Sequence, residues 1–179
     1  MIANSFLWST YGLLKSEPKI YLTNLCGLVS GIFYFLSFAK YSPKKAPTLP
    51  GSIRQHANVN VMVIAATFFV VFLSPFKDPA SIVGNVAVLF CVAMFGSPLA
   101  ALKVVLKTKS AKSIPLPFTL ATVLNCFLWS VFGLLEMKDV NIYFPNLLGL
   151  SFGLTQLALK LIYSDGTAGE TESELELML

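Results

Sequence analysis

No aspartate, glutamate, histidine or arginine stands near the middle of any long apolar run in this 179-residue sequence. Charged side chains are costly at the centre of a bilayer and persist there where they relay protons or couple to ions. Their absence argues against a pump and against a proton-coupled carrier. It also argues against intramembrane proteolysis, which needs paired aspartates, a serine with a histidine or lysine, or metal ligands. The one histidine, His56, is expected in a loop. The three cysteines, Cys26, Cys91 and Cys126, are odd in number and lack metal-ligand spacing, so they read as small apolar packing residues. These gaps predict a protein that is not an enzyme and that uses no metal and no cofactor.

Charge is scarce throughout. Charged residues make up 12% of the chain and hydrophobic ones 55%. A water-facing domain carries about 25% charged residues, so this composition cannot cover itself with a soluble surface. The apolar residues gather into runs at 20–39, 59–76, 80–102, 114–135 and 141–163, with a shorter one at 1–14. Each of the first five approaches the roughly 20 residues needed to cross a hydrocarbon core. The sequence therefore predicts an all-α integral membrane protein in a lipid bilayer.

The net charge of +4 is explained by orientation, and no nucleic-acid partner is expected. Lys40, Lys44, Lys45 and Arg54 share one loop, Lys103, Lys107, Lys109 and Lys112 another, and Lys160 ends the last span. The alternate loops hold only Lys15 with Lys19, then Lys77, then Lys138. The basic excess places the first set, and with it the C-terminus, in the cytosol. The tail from residue 164 carries Asp165 and four glutamates and is expected to be disordered. Thr167, Thr171 and Ser173 make phosphorylation an alternative to a merely solubilising role.

The most informative feature is an internal repeat. Residues 4–14 read NSFLWSTYGLL and residues 125–135 read NCFLWSVFGLL, identical at eight of 11 positions. One residue is then gained, and Asn24-Leu25-x-Gly27-Leu28 recurs as Asn146-Leu147-x-Gly149-Leu150, with Gly31 matching Gly153 and Tyr41 matching Tyr163. The two tryptophan helices are separated by four crossings, so the copies run the same way through the membrane. Parallel repeats of this kind need one odd helix between them, here 59–76. The expected division is 1–40 for a first repeat of two spans, 41–79 for a cytosolic loop and linker helix, 80–163 for a second repeat of three spans, and 164–179 for the tail. The fold class is thus two parallel three-helix bundles joined by a linker helix. The repeat leads us to expect that the first helix of the first bundle is missing from this chain.

Within the spans, Trp8 and Trp129 occur once per repeat, as do Asn24 and Asn146. Asn4 and Asn125 precede each tryptophan by four residues, which puts each pair on one helix face. A pyranose has apolar C–H faces that stack on indole and hydroxyls that a carboxamide can both donate to and accept from. Two asparagines and two tryptophans lining one cavity would suit a small neutral sugar. The structural alternative is an asparagine that bonds a neighbouring helix. Gly27 with Gly31, and Gly149 with Gly153, form small-xxx-small pairs that let helices approach closely. Pro98, Pro115 and Pro117 are expected to interrupt helix hydrogen bonding and supply bends, static or hinging.

Taken together, the repeated N-x-x-x-W-x-x-[YF]-G, the N-x-x-G helix, G-S-P-L at 96–99, and T-K-S at 108–110 followed by P-L-P-F resemble the eukaryotic SWEET sugar facilitators. The resemblance runs from residue 1 to about residue 163. It implies a 3+1+3 seven-helix plan and passive, bidirectional transport of mono- or disaccharides by alternating access. It implies that Trp8 and Trp129 stack on sugar, that Asn24 and Asn146 form the central asparagine pair, and that Asn4 and Asn125 sense substrate size. It assigns Tyr11-Gly12 and Phe132-Gly133 to the exoplasmic gate, and Pro98, Pro117 and, less directly, Pro115 to the hinges. Pro145 matches the proline that precedes the second asparagine.

Glucose and sucrose are the substrate classes this implies, and asparagine at both size-sensing positions leans towards hexoses. The plasma membrane is the expected location, with an endomembrane as alternative. Two other readings stay open at this stage. One is a related carrier of another small neutral metabolite. The other is a non-transporting fragment that assembles with full-length partners as a homo- or hetero-oligomer.

Overall fold

The computed structural model describes residues 1–41 and 52–163, and every regular element among them is helical. The loop prolines Pro43, Pro47 and Pro50, with Lys44 and Lys45, and the acidic tail lie outside the described residues. Helix α1 spans Ile2–Leu14 and α2 Pro18–Tyr41. Helix α3 runs Ile53–Phe68 and widens into a π turn at Phe69–Leu73. Helices α4 (Pro79–Met94) and α5 (Gly96–Thr108) follow. Helix α6 (Leu116–Val131) also ends in a π turn, Phe132–Met137, before α7 (Val140–Ile162). Among the described residues five stretches are long and apolar enough to cross a membrane: Pro18–Tyr41, Ile53–Leu73, Pro79–Thr108, Leu116–Met137 and Val140–Ile162. This is a multi-pass integral membrane protein, and its large exposed side chains, such as Phe33, Leu36 and Leu161, are apolar because their solvent is lipid.

Local chemistry sets the helix ends. Helix α3 begins at Ile53, several residues before the apolar run, because Ser52 and Gln55 form a capping box: Gln55 N donates to Ser52 Oγ at 3.2 Å and Ser52 N to Gln55 Oε1 at 2.7 Å. His56 therefore stands in the first turn of α3, exposed, and not in a loop as the sequence suggested. Asp78 accepts from Ser81 N at 3.0 Å at the start of α4, and Asp139 accepts from Asn141 N at 3.0 Å at the start of α7.

The three prolines expected to break helices divide in two. Pro98 has no N–H to offer the carbonyl of Met94, and the long run from Pro79 turns at Phe95, where Phe95 N reaches back only to Val92 O at 3.0 Å. Pro115 and Pro117 interrupt nothing. Pro115 is the N-cap of α6 and Pro117 lies in its first turn, where backbone N–H groups have no intrahelical partner to lose. Pro145 does lie inside a helix, α7, and is fully buried there.

The chain divides into two compact units, Met1–Phe90 and Cys91–Leu179. This boundary differs from the one drawn at residue 80 from the repeat. Within the first unit the start of α4 borders α1 and α3 across a small cavity. A cavity of about 110 Å³ is lined by Leu7 of α1, by Val63, Ala66 and Thr67 of α3, and by Val83 and Val86 of α4. Within the same unit Asn60 Oδ1 of α3 accepts from Ala3 N at 3.0 Å, satisfying an otherwise unpaired first-turn amide of α1. In the second unit, Val105, Ala111 and Ile114 form a buried cluster packed by Leu159 of α7 and by Tyr163, which caps that helix. Lys109 Nζ donates to Tyr163 Oη at 3.2 Å and Lys160 Nζ to Ala111 O at 3.2 Å at that end. Tyr41, the repeat partner of Tyr163, is 75% exposed.

Candidate functional site

Each unit contains one copy of the repeated helix pair, α1 with α2 and α6 with α7, and the two copies bring equivalent positions together where their helices meet. A Cβ placed on Gly12 would stand 2.6 Å from Tyr21 N and 2.9 Å from Ile20 Cβ. One placed on Gly133 would stand 2.8 Å from Tyr143 N and 2.9 Å from Ile142 Cγ2. Gly27 faces Ser5, and Gly149 faces Cys126, with the added Cβ 2.9 Å from Ser5 Oγ and 2.8 Å from Cys126 Sγ. Gly31 faces Ile2, and Gly153 faces Val123, at 3.2 and 2.6 Å. These are the same positions under the repeat. The glycines hold the two helices too close for any side chain between them.

The residue gained between the copies is also located. The first pair turns at Ser16, with φ 56°, and Glu17 N closes the turn on Gly12 O at 2.8 Å. The second turns at Lys138, with φ 49°, and Asp139 N closes it on Gly133 O at 3.0 Å. The extra residue is absorbed by the π turn Phe132–Met137, which lets a helix accept one insertion without changing what its glycine faces.

The sequence-derived site residues sit on these pairs. Trp8 is 8% exposed and meets Tyr11 edge-on, ring centres 5.6 Å apart at 89°. Trp129 meets Phe132 in the same way, at 5.5 Å and 82°, and is half-buried. Asn24 Nδ2 donates to Ile20 O at 2.9 Å, and Asn146 Nδ2 to Ile142 O at 2.7 Å. In both, one N–H of the carboxamide is held by its own helix and Oδ1 bonds to nothing among the described residues. Tyr11 and Gly12 are buried, as is Gly133. Asn4 and Asn125 differ: Asn4 Oδ1 is buried without a partner, while Asn125 is exposed. Within each unit the tryptophan, its aromatic neighbour, the seam glycine and the asparagine belong to one helix pair. A second cavity in the first unit, about 320 Å³ and lined by Met1, Gly31, Tyr34, His56 and Asn60, involves neither Trp8 nor Asn24.

Sequence reasoning passed over Ser9 and Ser130, which follow the two tryptophans and are identical in the repeat, a signal that was available. It could not have found Asn60, whose bond to Ala3 joins residues 57 apart and has no counterpart in the repeat. No cluster of histidine, cysteine or acidic residues among the described residues could hold a metal ion.

The sequence pattern of the family described as sugar efflux transporters for intercellular exchange (MtN3/SWEET) matches residues 1–46 and 81–168. The chain belongs to this family. It is a family of transporters, not of enzymes. The chain is 32% identical to the bidirectional sugar transporter SWEET13 of Oryza sativa subsp. japonica over 93% of its own length and 57% of the rice protein's. It is 30% identical to the sugar transporter SWEET1 of Rattus norvegicus over 87% of its length and 69% of the rat protein's. A solved structure of a eukaryotic SWEET transporter superposes with a TM-score of 0.78 and 29% identity, covering 89% of this chain and 75% of that one. The chain spans about half the length of the first plant relatives it matches, 57% and 55%.

Proposed function

We propose that this chain is a passive, bidirectional transporter of small neutral sugars, of the glucose or sucrose class, working by alternating access. The observation that carries the reading is the duplicated pair of indole and carboxamide, built on matching helix pairs whose spans hold no acidic or histidine side chain near their middles. Indole faces stack on the C–H faces of a pyranose, and the carboxamide of each asparagine offers the sugar hydroxyls both a donor and an acceptor. Neutral groups of this kind bind a neutral solute without coupling it to an ion.

In this reading Trp8, Trp129, Asn24 and Asn146 contact the sugar, and Asn4 and Asn125 limit its size. Tyr11-Gly12 and Phe132-Gly133 form gates. Pro98, Pro117 and Pro145 act as hinges, with Pro98 and Pro145 the stronger candidates because each deprives a helix carbonyl of its donor. The basic loops place the C-terminus in the cytosol, and the plasma membrane is the proposed location. The test is uptake of radiolabelled glucose and sucrose by transport-deficient cells expressing this chain. Uptake of at least one, saturable and dependent on surface expression, is the expected result. Absence of both from cells that carry the protein at their surface overturns the proposal, and uptake that needs a co-expressed full-length relative favours the assembling reading instead.

A further inference from the structure

Within each helix pair the two helices meet along a seam with a regular layer spacing. On α1 the contact positions are residues 2, 5 and 12, and on α2 they are 31, 27 and 20. The steps of three and four residues that mark one helix face require a further layer between the second and the last. The seven-residue gap can divide at 8 or 9 on α1 and at 23 or 24 on α2, and strict alternation of steps of three and four selects Ser9 on α1 and Asn24 on α2. The second pair repeats the pattern. Residues 123, 126 and 133 meet residues 153, 149 and 142, and the intervening layer is Ser130 with Asn146.

Both serines are buried, Ser9 at 7% exposure and Ser130 at 3%, and neither hydroxyl has a hydrogen-bond partner. Among the described residues only Asn4 Oδ1 and Ser110 Oγ share that condition, and Ser110 lies outside the helices. Thr10, Thr67, Ser74 and Ser151 return their hydroxyls to the carbonyl four residues back, the default for a hydroxyl in an apolar helix. Ser9 and Ser130 do not, although an unpaired buried hydroxyl is costly. The same exception at the same repeat position, twice, points to a partner that is engaged in another state.

We infer that Ser9 and Ser130 are positioning residues for the sugar-binding asparagines. With sugar bound, each serine hydroxyl donates across the seam to Oδ1 of the asparagine opposite. The carboxamide then leaves its own helix carbonyl and turns Nδ2 towards the sugar. Without sugar, Nδ2 returns to Ile20 O or Ile142 O, the arrangement observed here. This inference rests on the proposed sugar site and adds the residues that set its geometry.

The chain has two tryptophans, Trp8 and Trp129, so indole fluorescence reports on both half-sites. Purified protein is titrated with glucose and with sucrose, and the half-maximal concentration is compared between wild type and Ser9→Ala. A rise of about fivefold is expected, the value of one hydrogen bond, with an unchanged melting temperature. A packing role would move the melting temperature and leave binding alone. The decisive comparison is by background: the Ser9→Ala shift disappears in Asn24→Ala and persists in Asn146→Ala, and Ser130→Ala does the reverse. Unchanged binding in both serine variants, with wild type still responding, overturns the inference and leaves the sugar site standing. Equal shifts in both backgrounds also overturn it. A wild type whose fluorescence ignores both sugars overturns the inference and the site together.

Discussion

Replacing Asn24 and Asn146 together with alanine is expected to lower sugar transport by roughly 10- to 100-fold while leaving the folded protein intact, because the substrate hydroxyls they would meet are left unpaired. Neither carboxamide bonds to a neighbouring helix. Each gives one N–H to a carbonyl of its own helix, Ile20 O or Ile142 O, and those carbonyls keep their backbone partners when the side chain is removed. The stability cost is therefore small, well under the ~1 kcal/mol typical of a hydrogen bond. Initial uptake rates, normalised to surface protein, measure the first effect and thermal melting in detergent the second. Retained transport would return both asparagines to helix packing. Lost transport with lost folding would do the same.

The second large effect is on stability, at the glycine seam. Gly12→Val and Gly133→Val place side chains against backbone nitrogen, Tyr21 N and Tyr143 N, at distances no real contact adopts. Backbone inside a helix cannot step aside as a side chain can. Each substitution is expected to cost about 2 kcal/mol or more, read as a lower melting temperature and a loss of monodisperse protein. Gly27→Ala is the informative contrast. The atom it meets is Ser5 Oγ, the mobile end of a small side chain, so its cost is smaller. Gly96 has nothing within 4 Å of an added Cβ, and Gly96→Ala is expected to be neutral. Four variants of equal stability would mean that the seam does not hold the pairs together.

Much of this was legible in the sequence for a physical reason. A bilayer enforces long apolar runs, so five of the helices could be placed from composition, and duplication let one half check the other. The pairing of Trp8 with Tyr11, and of Trp129 with Phe132, follows from their spacing of three on a helix. What was not legible depends on geometry that residue types do not encode. A π turn and an α turn read alike, so the inserted residue in the second copy was visible while its location was not. Pro117 reads like Pro98 until the helix start is known, and then it proves harmless to the ladder. The start of α3 was misplaced because polar Arg54, Gln55 and Asn58 hid a helix that a capping box begins.

The compact units divide at a different residue from the repeat. The repeat records ancestry, whereas compact units record proximity, and residues 79–90 fall in the same unit as α1 and α3. Ser9 and Ser130 read as ordinary helix serines, because whether a hydroxyl is buried and unbonded is a matter of geometry that the residue type does not carry.

Sugar is expected to cross through this chain down its gradient, with no ion coupled to it. Flux of radiolabelled glucose or sucrose into proteoliposomes that contain only this protein, with identical buffer inside and out, tests it most directly. The account predicts that internal sugar rises to the external concentration and stops there. The initial rate should be unchanged by a protonophore, and efflux should follow when the outside is diluted. No protein-dependent flux, accumulation above the external concentration, or a rate that collapses with the proton gradient would contradict it.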